Sequence, residues 1–123
     1  MLRKQSEIPL KTFTRCHEGS GDCHARLVLS KPDSQLGLLW MHDDTLPPGA
    51  TIGEHRHDDN EELYYVLEGH GTMILDGQRS PIGAGDVSVV HPGHTHGIEN
   101  SNDSAMRLLV VCVGRPKDSA TSQ

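Results

Sequence analysis

Three histidines and a carboxylate carry most of the chemistry this chain could perform. His55 and His57 lie two residues apart in the stretch Gly49 to Gly69, Glu62 follows a short polar turn, and His96 comes from a second stretch, Gly85 to Asn100. Side chains two apart on an extended strand share a face, so both imidazoles can converge on one point. Three nitrogens and one oxygen form a donor set of middling softness, suited to a first-row divalent ion such as iron, manganese, nickel or zinc. Such a set leaves one or two positions of a five- or six-coordinate metal open to water or substrate, as a catalytic site requires.

The two stretches resemble the paired signature motifs of the cupin superfamily. Its first motif reads glycine, five residues, His-x-His, three or four residues, glutamate, six residues, glycine. Gly49, His55, His57, Glu62 and Gly69 fit it without a gap, and the final spacing selects Glu62 over Glu61. The second motif reads glycine, five residues, Pro-x-Gly, two residues, histidine, three residues, asparagine. Gly85, Gly93, His96 and Asn100 match, while His91 stands where the family usually has proline and Pro92 follows one residue later. The resemblance implies an all-β, double-stranded β-helix (jelly-roll) barrel with His55, His57, Glu62 and His96 holding one divalent transition metal per chain. It also implies a small-molecule ligand in the barrel and, often in this superfamily, a homodimer.

The elements needed to position these residues are legible as short strands. Candidates are Ala25 to Leu29, Gly37 to Leu46, Glu62 to Glu68, Gly71 to Leu75, Asp86 to Val90 and Arg107 to Val113. Turn signals separate them at Pro47-Pro48-Gly49, Asp76-Gly77, Gly83 to Gly85, Pro92-Gly93 and Asn100 to Asp103. Asp76-Gly77 reads as a two-residue hairpin turn, since both residues tolerate positive φ. No segment carries a helical stripe, and many short strands at regular spacing suggest a sandwich or barrel. The expected organisation is an N-terminal arm at 1–24, one barrel domain at 25–114 and a C-terminal tail at 115–123.

Leu63-Tyr64-Tyr65-Val66-Leu67 is apolar on both alternating faces. If Glu62 points inward, Tyr64 and Val66 line the interior, and Leu63, Tyr65 and Leu67 face outward and need a cover. A second subunit or the N-terminal arm could supply it, and the expectation here is a homodimer.

Acid–base candidates are fewer. Tyr64 shares the inward face with Glu62, and its hydroxyl could orient a ligand or simply pack. His94 lies two residues from His96 and is a candidate beside the metal, or a surface residue. Trp40, His42 and Asp44 share one strand face, with Trp40 a possible pocket wall or plain core. The pairs Cys16-His17 and Cys23-His24 offer soft ligands, but adjacent Cys-His is not a common ligand spacing.

At 123 residues there is room for one domain. A net charge of -6 and a pI near 5.8 argue against nucleic acid or an anionic membrane surface as partners. Neither a secretory signal nor an apolar run of bilayer-spanning length is present in the sequence given. Three cysteines without close spacing suit reduced thiols, so a cytoplasmic location is expected.

A divalent ion held by three neutral imidazoles and one carboxylate keeps a net charge of about +1 in a weakly screened interior. That favours an anionic or chelating oxygen ligand. The functional expectation is a metal-dependent lyase, isomerase, decarboxylase or dioxygenase acting on a small oxygen-rich metabolite. A non-catalytic metal and ligand-binding or sensing module is the alternative, and a structural barrel with an adventitious ion is a third reading.

Overall fold

The computed structural model describes residues 1–115. Ten strands, β1 (Leu10–Thr14), β2 (Asp22–Ser30), β3 (Leu38–Leu46), β4 (Thr51–His57), β5 (Asn60–Glu68), β6 (His70–Leu75), β7 (Gln78–Gly83), β8 (Val87–Val90), β9 (His94–Glu99) and β10 (Met106–Gly114), are joined by turns and three short 3-10 segments. They form a six-stranded sheet in the order β1-β2-β3-β10-β5-β8 and a four-stranded sheet in the order β4-β9-β6-β7. Every pairing is antiparallel. The fold is the all-β jelly roll that the motifs implied.

Alternation places the core between the sheets. On β5, Glu62, Tyr64 and Val66 are buried while Tyr65 and Leu67 are exposed. Leu46, Ile98, Met106 and Leu108 are fully enclosed and fill the end of the barrel away from the histidines. Asn100, wholly buried, ties this end shut. Its Nδ2 donates to the carbonyls of Leu46 at 2.9 Å and Ser104 at 2.8 Å, so one amide joins the β3–β4 turn to the β9–β10 turn. Its Oδ1 accepts from the Asn102 N–H at 3.1 Å, which leaves little of its hydrogen-bonding capacity unused. Gly69 sits between β5 and β6 at φ +83, and a Cβ there would press on the Ala105 carbonyl.

Four strands lie outside the sequence-based candidates. Residues 1–24, expected as an arm, contain β1 and the start of β2, paired from Leu10↔Arg26 to Thr14↔Asp22 at the edge of the larger sheet. β4 and β9 are interrupted by glycine and rich in histidine, and β7 is mostly polar and exposed, so none shows apolar alternation. The expected tail at 115–123 lies, after Arg115, outside the described residues.

Candidate metal centre

Local backbone chemistry decides which side chains of β4 turn inward. Between Ile52↔Ile98 and His55↔His96, β4 advances three residues while β9 advances two, which marks a bulge at Gly53-Glu54. Regular alternation from buried Ile52 would aim Glu54 and Arg56 at the interior. The bulge shifts the phase, so His55 and His57 face inward and Glu54 and Arg56 are exposed. Gly53 is required there for a second reason: a Cβ would overlap the His17 carbonyl oxygen.

The centre lies between the sheets. β4 and β9 of the smaller sheet supply His55, His57 and His96, and β5 of the larger sheet supplies Glu62 from the opposite wall. One donor atom from each of the four residues lies within 4.8 Å of every other. The Nε2 of His96 is 3.1 Å from that of His55 and 3.1 Å from Glu62 Oε1, which lies 3.5 Å from His57 Nε2 and 4.0 Å from His55 Nε2. Donors bonded at about 2.1 Å to a common ion are separated by roughly 3.0 Å at adjacent octahedral positions and 3.4 Å in a tetrahedron, so these spacings suit one cation.

Hydrogen bonding on the outer side of His55, His57 and Glu62 fixes their orientation, whereas His96 Nδ1 is buried without a hydrogen-bond partner. His55 Nδ1 donates to the Gly53 carbonyl at 2.7 Å, and His57 Nδ1 donates to Asn60 Oδ1 at 2.6 Å. These bonds place the ring protons on Nδ1 and leave the Nε2 lone pairs aimed at the centre. His57 Nε2 is buried without any hydrogen-bond partner, so a cation at this point could satisfy it. Trp40 Nε1 donates to Glu62 Oε2 at 2.8 Å, so that Oε1 alone faces the imidazoles. The Tyr64 ring stacks on His96 with centroids 4.5 Å apart.

Electrostatics prepare the group for a cation. Burial works to raise the Glu62 pKa, but the facing imidazoles of His55 and His96 and the Trp40 indole N–H outweigh it and hold the carboxyl far below its usual range. Burial lowers the His96 pKa, against the pull of Glu62, which keeps its imidazole neutral and able to ligate. Burial also raises the Tyr64 pKa well above that of an ordinary phenol, so its hydroxyl stays protonated.

The centre opens onto a cavity of about 210 Å³. Trp40, His42, Asp44, Glu62 and Tyr64 line it alongside apolar side chains, and His17 and Cys16 of the 3-10 turn Cys16–Glu18 reach it from the N-terminal segment. His17 stacks on His55 with centroids 3.6 Å apart and planes 11° apart, in a backbone with φ +51. Burial, followed by the nearby His55, lowers its pKa.

Cys16 and Cys23 line this cavity and His24 hydrogen-bonds Thr12, but among the described residues neither Cys-His pair belongs to the cluster of metal-capable donors, which is His55, His57, Glu62 and His96. His94 is exposed, with Nδ1 bonded to Asp76 Oδ2 at 2.6 Å in the β6–β7 turn, so it lies outside the donor group. Glu61 is turned to the surface, 3.3 Å from exposed His91. Asn60 carried no functional expectation from sequence, His17 was weighed only as half of a Cys-His pair, and Trp40 was expected as a pocket wall or core. Gly53 within a strand signals the bulge, and an asparagine three residues after His57 is a usable signal for a turn-borne hydrogen-bond partner.

The cupin domain family matches residues 43–112, which include all four donors. The chain belongs to this family. This cupin is 32% identical over 113 residues to an oxalate-binding protein of Thermotoga maritima, an alignment covering 92% of this chain and 93% of the relative. A crystal structure from the same organism, described as a predicted oxalate decarboxylase, superposes with a TM-score of 0.85 at 31% identity, covering 93% of this chain and 99% of that one. A polyketide cyclase of Streptomyces resistomycificus shares the fold, with a TM-score of 0.74 at 22% identity over 95% of this chain and 83% of that one.

Proposed function

We propose that this cupin holds one divalent transition metal at His55, His57, Glu62 and His96 and uses it to bind and transform a small oxygen-rich anion. The observation that carries this reading is the buried, unpartnered Nε2 of His57, aimed with three other donors at one point beside a cavity. The names of the Thermotoga relatives, oxalate-binding protein and predicted oxalate decarboxylase, support a short carboxylate as the ligand. The resident ion would be iron, manganese, nickel or zinc, and when bound it supplies Lewis acidity toward a ligand oxygen.

The chain's own residues do the rest. Glu62 offers Oε1 to the centre while Trp40 holds Oε2, and Asn60 fixes the tautomer of His57. Tyr64 packs on His96 and, being protonated, can donate a hydrogen bond but is unsuited to act as a base. Apolar Ile52, Phe13 and Val110 form part of the cavity wall, where a ligand that displaces water makes stronger polar contacts. The reaction class would be a decarboxylase, lyase, isomerase or dioxygenase. Isothermal titration of the metal-loaded protein with oxalate and other small acids, followed by product analysis, tests it. Saturable binding with a metal-dependent product is expected, whereas absence of binding by any small acid contradicts the reading.

Ligand binding without turnover is the second reading. In its favour, the carboxyl held ionised in the cavity, Glu62, already belongs to the donor group, which leaves no free carboxylate base in view. His94 as an acid–base residue would require a ligand that reaches the surface, where it pairs with Asp76.

A homodimer is part of the same proposal. The outer face near the β8 edge exposes Tyr65, Leu67, Val87 and Val89 side by side, with Tyr65↔Val87 and Leu63↔Val89 in register. Sedimentation at micromolar concentration is expected to give twice the chain mass. The free cysteines, two of them buried, support a cytoplasmic setting.

A further inference from the structure

The barrel interior contains a second buried carboxyl that the metal centre does not use. Asp44 stands on the inward face of β3, on the same side as Trp40 and His42, and is only 7% exposed. Its Oδ1 is buried without a hydrogen-bond partner. The nearest cationic candidate, His42 Nδ1, is 3.7 Å away, beyond hydrogen-bonding distance.

Its neighbours in register are Ala25 on β2 and Leu108 on β10, which offer no polar side-chain atom. A polar group in such surroundings is costly unless something satisfies it. Asp44 also lines the cavity onto which Glu62 and Tyr64 open.

We propose that Asp44 is a second anchor for the ligand, hydrogen-bonding the far carboxylate of a short dicarboxylate whose other end lies at the four-donor centre. This inference rests on the metal-centre reading above. Burial, opposed only in part by His42, raises the Asp44 pKa, which favours the protonated form that can donate to an anionic oxygen. A neutral donor in an apolar wall accepts an anionic oxygen without like-charge repulsion. The cavity volume of about 210 Å³ is below the roughly 300–1,000 Å³ of drug-sized sites, which suits a small ligand.

The test compares wild type, Asp44→Leu and Asp44→Asn, each loaded with manganese and assayed for metal content, then titrated calorimetrically with oxalate, malonate, succinate and acetate. Asp44→Leu is expected to keep its metal and its acetate affinity within about twofold while losing about tenfold or more for the best-bound dicarboxylate. Asp44→Asn, which retains a donor, is expected to recover most of that loss.

Unchanged dicarboxylate affinity in Asp44→Leu overturns the anchor, as does an equal loss for acetate, which would mark a general packing defect. Failure of wild type to bind any dicarboxylate overturns it as well. Failure of wild type to take up any of manganese, iron, nickel or zinc overturns the metal centre separately, and the anchor is then judged by the same titrations on the metal-free chain.

Discussion

Glu62 and Asp44 are both buried carboxyls facing one cavity, yet their surroundings drive them in opposite directions. Glu62 sits among His55, His96 and the Trp40 indole, and these polar neighbours keep it ionised despite burial. Asp44 has an alanine and a leucine beside it and an imidazole just out of reach, so burial dominates and raises its pKa. The same functional group is drawn toward the ionised, cation-ready form at one place and toward the neutral form at the other because of what the adjacent strands present.

The contrast can be broken most severely at the metal end. His57→Ala removes a donor whose Nε2 has no other partner, and metal affinity is expected to fall by more than about 100-fold, exceeding the usual effect of losing an outer hydrogen-bond partner. Competition with a chelator measures it. Gly53→Ala attacks the bulge by forcing a Cβ against the His17 carbonyl. A loss of about 1–3 kcal/mol in denaturant unfolding is expected, with weakened metal binding as the inward phase of β4 is disturbed.

Trp40→Phe keeps the ring but deletes the donor to Glu62 Oε2. A drop of about tenfold in metal affinity with intact fold is expected by chelator competition and circular dichroism. The gentlest change sharpens the Asp44 side. A carboxyl with a raised folded pKa disfavours folding once the unfolded chain ionises, above about pH 3.9. Asp44→Leu is therefore expected to be more stable than wild type at pH 7. The advantage should shrink as pH falls from the raised folded pKa toward about 3.9, and paired urea titrations at pH 7 and pH 3.5 read it.

The donor group was legible because it depends on side-chain type and spacing. His55, His57, Glu62 and His96 meet where the motif spacing places them, and the inward and outward faces of β5 follow simple alternation. What supports them was harder to see. Trp40 precedes Glu62 by 22 residues, and its indole contact depends on how β3 reaches β5 across β10. β1 and the His17 turn form no apolar pattern, since β1 is exposed along its length and is held by its ladder with β2. His94 obeys the same two-residue spacing as His57, yet it begins its strand beside the Asp76 turn, whose carboxylate captures it at the surface. Spacing identifies which side chains share a strand, while the bulge at Gly53 and the strand ends decide where they point.

The central claim is tested most directly by anomalous diffraction at the absorption edge of the bound metal, using crystals of protein purified without a histidine tag. A single peak per chain within bonding distance of His55 Nε2, His57 Nε2, Glu62 Oε1 and His96 Nε2 is predicted. A featureless map between the sheets after metal loading, or a peak bonded elsewhere, would contradict it.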